Sequence, residues 1–215
     1  MFDLAQLVPA SRQCLQVVAT DWSATCGQAQ CLARGGDGWQ SVGTAFPVML
    51  GRHGLAWGRG VHGPAPSGVA EKQEGDGRAP VGVFAITALF GRAPNPAELG
   101  FRLPYHRVRP SLKAVDDPAS RYYNQIVDSA ALTPDWSSAE DMLRADARYD
   151  LGAVLACNTD PVLPGKGSCL FLHVWAAPGV PTAGCTAMAY SDMLRLARWL
   201  DPSAQPVLCQ TVADN

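Results

Sequence analysis

The chain has 215 residues, enough for one domain with a sizeable core, and 47% of them are hydrophobic, as in a folded protein rather than a disordered one. With 17 basic against 19 acidic residues, a net charge of −2 and scattered arginines, it lacks the electrostatic footprint of a nucleic-acid binder. No apolar run approaches the ~18 residues of a membrane span.

The opening MFDLAQLVPASRQ has no basic start and is broken by Asp3 and Gln6, so it does not read as a signal peptide. CLQVVAT (14–20) and QAQCLAR (28–34) flank a short polar turn and predict a hairpin. GWQSVG, FPVML and LAWG continue as short strands separated by glycines. PVGVFAI (80–86), DLGAVLAC (150–157), CLFLHVW (169–175) and PVLCQTV (206–212) are further strands rich in Val, Leu and Phe. Two helices are signalled. Ser137 and Glu140 have the spacing of a capping box opening SSAEDMLRADARY, and Ser191 is placed to cap DMLRLARWL. In the second, Met193, Leu196, Ala197 and Leu200 share one face, and Pro202 stops it. Many short strands with few helices predict a mainly β, α+β fold, a sandwich or small barrel, built as a single domain over 1–215. The Gly/Pro-rich stretches 60–80 and 91–121 are long enough to wrap a site.

Several motifs fail. PVLPGKGS (161–168) lacks a phosphate loop's first glycine, because Asp160 stands in its place, and Lys166 breaks the nucleophile-elbow pattern around Ser168. The histidines at 53, 62, 106 and 173 have no zinc spacing and no CxxC exists, so neither metal nor cofactor is expected. Seven cysteines leave two readings open: six bridged with one free, or several buried thiols.

Cys185 differs from Cys157 and Cys169 in sitting in a small-residue loop after Gly184, while those two lie inside apolar strand runs. A cysteine nucleophile needs a base, oxyanion donors and access. His173, at the end of a strand, is the candidate base, and the Gly184 and Cys185 amides are the candidate oxyanion donors. Strand alternation puts His173 with Phe171 and Trp175, opposite Leu172 and Val174. An ordinary imidazole would give turnover an acidic limb near ~6.5. A nucleophile poised in this way would make Cys185 the fastest of the cysteines to alkylate at neutral pH.

HVWAAPGVPTAGCTAM (173–188) resembles the signature of the YkuD-type L,D-transpeptidases, a histidine followed by [ST]-x-G-C, matched here by His173, Thr182, Gly184 and Cys185. KQEGDGRAPVGVFAI (72–86) is similar to that family's upstream Pro-x-Gly-x-Phe strand through Pro80, Gly82 and Phe84, and the likeness spans roughly 45–200. The chain departs from the pattern at Ala183, often histidine, at Ala187, often arginine, and in a shorter His-to-Cys interval. The resemblance implies cysteine-dependent acyl transfer on peptidoglycan stem peptides, in the periplasm or cell envelope, with Cys185 as nucleophile and His173 as base. Thr182, Trp175, Tyr123 and Asn124, with Tyr122, are candidates to line the substrate groove, against plain packing roles. The alternatives are hydrolysis of the same bond, as a carboxypeptidase or amidase, and a non-catalytic wall-binding domain.

Overall fold

Residues 2–213 are described by a computed structural model of the chain. The predicted hairpin forms: β1 (Gln13–Ala19) pairs antiparallel with β2 (Cys26–Gly35), Val17 opposite Ala29. GWQSVG and FPVML join into one strand, β3 (Gly38–Met49). A bulge makes this possible, since the register with β2 shifts between Ala29 and Cys31 and Gly43 opposite takes a φ of +68°.

The remaining strands are β4 (Leu55–Trp57), β5 (Ala79–Gly91), β6 (Tyr105–Arg107), β7 (Leu112–Val115), β8 (Gln125–Asp128) and β9 (Ala139–Asp141). They are followed by β10 (Leu151–Leu155), β11 (Phe171–Val174), β12 (Thr186–Met188) and β13 (Val207–Val212). The main sheet runs β10-β11-β12-β3-β2-β1-β13-β5, and a further β5–β10 pairing closes it into a barrel, with β4 and β6 as side branches on β5. Within this ring only β1–β13 and β11–β12 are parallel. Of the two architectures expected, the chain adopts the barrel. β8-β7-β9 form a separate three-stranded sheet.

Leu15, Val17, Phe46, Leu50, Phe84, Leu172, Met188 and Leu208 belong to the principal core. Full burial of each such side chain contributes about 1.5–3 kcal/mol. The helix α2 (Tyr190–Trp199) adds Met193, Leu196 and Ala197 to that core. One polar strut crosses it. Buried Gln210 on β13 accepts from the Thr186 hydroxyl (2.7 Å) and donates to the Pro80 carbonyl (2.7 Å), tying β13 to β12 and β5. A second cluster, with Phe90, Leu112, Ala114, Met142, Tyr149 and Phe171, packs the small sheet onto the barrel.

The helix expected over 137–149 does not form. Ser137 gives its amide (2.6 Å) and hydroxyl (2.7 Å) to Asp117 instead of capping a helix. Glu140 lies in β9 opposite Ala114 and accepts from the Tyr149 hydroxyl (2.5 Å), so the two halves of the expected capping box have separate long-range partners. Only a 3₁₀ turn, Ala147–Tyr149, remains there. The second helix starts one residue before the predicted cap, with Ala189 at the cap position and no side-chain cap. A short α1 (Leu4–Leu7), not foreseen, is capped by Asp3, which accepts from the Ala5 and Gln6 amides. No helix among the described residues is long and apolar enough to cross a membrane. All seven cysteines are free, five of them buried, Cys26 exposed and Cys185 partly open, which decides for the thiol reading.

Candidate active site

β11 is buried along its whole length and splits its side chains between two cores. Leu172 and Val174 enter the principal core, while Phe171 faces the second cluster. His173 stacks edge-on against Tyr149 with centroids 5.5 Å apart, and Phe171 meets the same ring at 5.9 Å. The expected alternation therefore holds within the strand. Trp175 lies just beyond it, half-buried, with its amide on the Met188 carbonyl (2.8 Å).

The loop after Trp175 returns the chain so that β12 runs parallel to β11, with Ala187 opposite His173. Cys185 precedes Ala187 by two positions and thus shares the His173 side of the sheet. Its sulfur accepts from the Phe171 amide (3.4 Å) and faces the Cys169 carbonyl at 3.8 Å. The loop is stitched to the end of β3 through Thr182, which donates its amide to Leu50 and receives that of Arg52, both at 2.8 Å. The Thr182 hydroxyl donates to the Cys185 carbonyl (2.6 Å) and accepts from the Gly184 amide (3.0 Å). Thr182 thus shapes the turn that carries Cys185. Of the two expected oxyanion donors, the Gly184 amide is already engaged by this hydroxyl.

Glycine at 184 answers to backbone geometry. Its φ is +150°, and a Cβ there would meet the Arg78 carbonyl oxygen at 3.2 Å and Lys72 Nζ at 3.8 Å. Lys72 is itself buried and held by Asp76 at 2.5 Å, a support beneath the turn that sequence reasoning missed.

His173 Nδ1 lies 2.8 Å from the Val174 carbonyl. A carbonyl only accepts, so Nδ1 carries the proton and Nε2 is left as the acceptor. Burial pushes the imidazole down to about 4, and the Arg148 and Arg144 guanidiniums add to the depression. Burial pushes the Cys185 thiol up to about 12, with the Glu140 carboxylate acting in the same direction. The resting pair is therefore neutral thiol and neutral imidazole, and an acidic limb near ~6.5 is not what this environment supports.

Cys185 and His173 line one cavity of about 120 Å³, together with Glu140, Arg144, Arg148 and Tyr149. These four come from the stretch expected to form a helix over 137–149. The usable signal was Arg-x-Asp-x-Arg, a carboxylate between two guanidiniums. Asp146 binds Arg144 through Nε and Nη2 (3.1 and 3.2 Å) and Arg148 through Nε and Nη2 (3.0 and 2.6 Å).

Three of the candidate groove residues lie elsewhere. Trp175, Tyr123 and Asn124 are not in the lining of this cavity. Tyr123 is buried and donates its hydroxyl to Glu74, which also receives Ser168 (2.8 Å). Asn124, at φ +64°, donates to the Cys157 and Asn158 carbonyls (3.0 and 2.8 Å) and accepts from the Cys169 amide (2.8 Å). It ties three loops together and fixes the carbonyl that faces the Cys185 sulfur. Tyr122 packs on Trp136 and under Arg121.

Among protein families, the model described as the L,D-transpeptidase catalytic domain, YkuD, matches residues 34–209, a span that includes every lining residue of the cavity. No curated protein and no solved structure matches the chain significantly.

Proposed function

The chain belongs to the YkuD family of L,D-transpeptidase catalytic domains, and on that premise we propose that it transfers the acyl group of peptidoglycan stem peptides through a thioester on Cys185. The observation that carries this reading is His173. Its tautomer is set by a backbone carbonyl, which leaves Nε2 as the acceptor, and the residue lines the same cavity as Cys185. Nε2 takes the Cys185 proton as the sulfur bonds to the carbonyl carbon at the L-centre. The oxyanion is met by the Cys185 amide, and the Gly184 amide joins only on leaving Thr182. The C–N bond then breaks, the imidazolium proton passes to the nitrogen, and D-alanine leaves. An acceptor amine or water attacks the thioester, giving its proton to His173 and thence to the sulfur. Burial makes the neutral resting pair the stable one, so charge develops only with substrate bound. Such a site belongs to an enzyme of the periplasm or cell envelope.

Incubation with purified disaccharide-tetrapeptides, followed by mass spectrometry of protein and products, tests the reading. The expected result is an acyl adduct on Cys185, release of D-alanine, and either a cross-linked or a hydrolysed product that identifies the acceptor. Cys185→Ala abolishes both adduct and release, and His173→Gln lowers turnover at least ~10²-fold. Peptide binding with neither adduct nor release in the unaltered protein would sink the enzyme reading in favour of a wall-binding domain.

A further inference from the structure

Arg144 and Arg148 are not needed for the steps just described, yet both line the cavity of Cys185 and His173. The Arg144 guanidinium lies over the Tyr149 ring at 5.2 Å, and Tyr149 in turn packs on His173 at 5.5 Å. Asp146 takes Nε and Nη2 of both arginines, and among the described residues neither Nη1 has a hydrogen-bond partner. One carboxylate is thus shared by two cations. Glu140, the acidic residue of the cavity lining, accepts from the Tyr149 hydroxyl. Stacking, clamping and spare donors together make a preformed receptor for a planar anion, since a guanidinium fork matches a carboxylate.

We propose that Arg144 and Arg148 bind the terminal carboxylate of the leaving D-amino acid, so that the enzyme selects peptides ending one residue beyond the scissile bond. The inference rests on the acyl-transfer reading for the identity of that residue. In such a peptide the carboxylate carbon stands two bonds beyond the scissile nitrogen, close to the reacting carbonyl, and these arginines line the same cavity as Cys185. An internal peptide bond offers no anion there, and an amidated terminus offers none either. The D-amino acid departs with its carboxylate still paired, after its nitrogen has taken the proton from His173. Occupancy also acts on the base. Burial first, and the two guanidiniums in addition, hold the imidazole down with Asp146 opposing, and a bound carboxylate acts in the same direction as Asp146.

The test compares one disaccharide-tetrapeptide as free acid and as C-terminal carboxamide. For the unaltered enzyme, kcat/KM for the acid exceeds that for the amide by about 10–100-fold, as for loss of a charged hydrogen-bonded pair. In Arg144→Gln and Arg148→Gln the acid-to-amide ratio falls toward one, while Arg148→Lys keeps part of it. A merely structural role would lower both rates and leave the ratio intact, which would overturn the assignment. A second arm measures calorimetric binding of the same two peptides to Cys185→Ala, where no turnover is required. Tighter binding of the acid, lost in the arginine variants, supports the inference even if neither peptide is turned over, a result that would count only against the acyl-transfer reading. Equal binding of the two, or none detectable, overturns the inference.

Discussion

His173 is kept neutral by its surroundings, and that has a cost in acid. An exposed histidine titrates near ~6.5 in the unfolded chain. In the folded protein the group is driven down to about 4, by burial first and by Arg148 and Arg144 in addition, with Asp146 opposing. Tyr149 and Ala187 otherwise face it. Between those two values the unfolded chain holds a proton that the native one does not, so stability rises with pH across the window and is lost as pH falls through it, by up to about 3 kcal/mol for this group. We expect the urea-unfolding free energy of His173→Gln to lose about 2–3 kcal/mol less than that of the parent between pH 6.5 and 4.5. Identical pH profiles would show that His173 titrates normally. Cys185 answers to the same environment with the opposite sign. Its thiol is pushed up to about 12, whereas Cys26 stands exposed, so limiting iodoacetamide at pH 7 should modify Cys26 first. This reverses the order expected from the glycine-flanked loop alone. Labelling at Cys185 should accelerate as pH rises toward the alkaline range, and peptide mapping that finds Cys185 modified first at pH 7 would mean a preformed thiolate–imidazolium pair.

β12 spans only Thr186–Met188, and within the ring it joins β3 through the single pair Ala187–Met49. The Gln210 strut reinforces it from β13 by holding Thr186, the neighbour of Cys185. Gln210→Ala leaves a buried hydroxyl and the Pro80 carbonyl without partners and opens a cavity, which should cost about 2–5 kcal/mol in chemical denaturation. Thr186→Val in that background should cost less than it does alone, because the two groups satisfy each other. Additive losses would show that the strut is not a unit. Elements governed by local pattern were legible in the sequence: the 14–20/28–34 hairpin, the later apolar strands, and the helix carrying Met193, Leu196 and Ala197. The stretch 137–149 was not, because Ser137 is captured by Asp117 and Glu140 by β7 and Tyr149, partners that a local capping rule cannot foresee. α1 was missed for the opposite reason. Asp3, read as an interruption of an apolar run, is its cap.

At the scale of the molecule, the closed barrel joins β1 to β13 and β5 to β10, contacts far apart in the chain that no periodicity specifies. Cys185 and His173 were legible because they share one short segment with a glycine turn. Arg144, Arg148, Tyr149 and Glu140 were not, because only the tertiary fold carries them to that segment. Their position has a consequence for how the cavity is built. β5 and β10 are hydrogen-bonded neighbours and successive members of the ring, so residues 92–150 amount to the connection of a single hairpin. Ring closure is made by the β5–β10 pairing itself, yet the connection carries four of the groups that line the cavity, Glu140, Arg144, Arg148 and Tyr149. Cys185 and His173 thus belong to strands of the ring and the turn beside them, whereas Glu140, Arg144, Arg148 and Tyr149 belong to a connection between two ring strands. Rewriting residues 92–150 would therefore change the lining of the cavity while leaving the sulfur, the imidazole and the turn between them where they are.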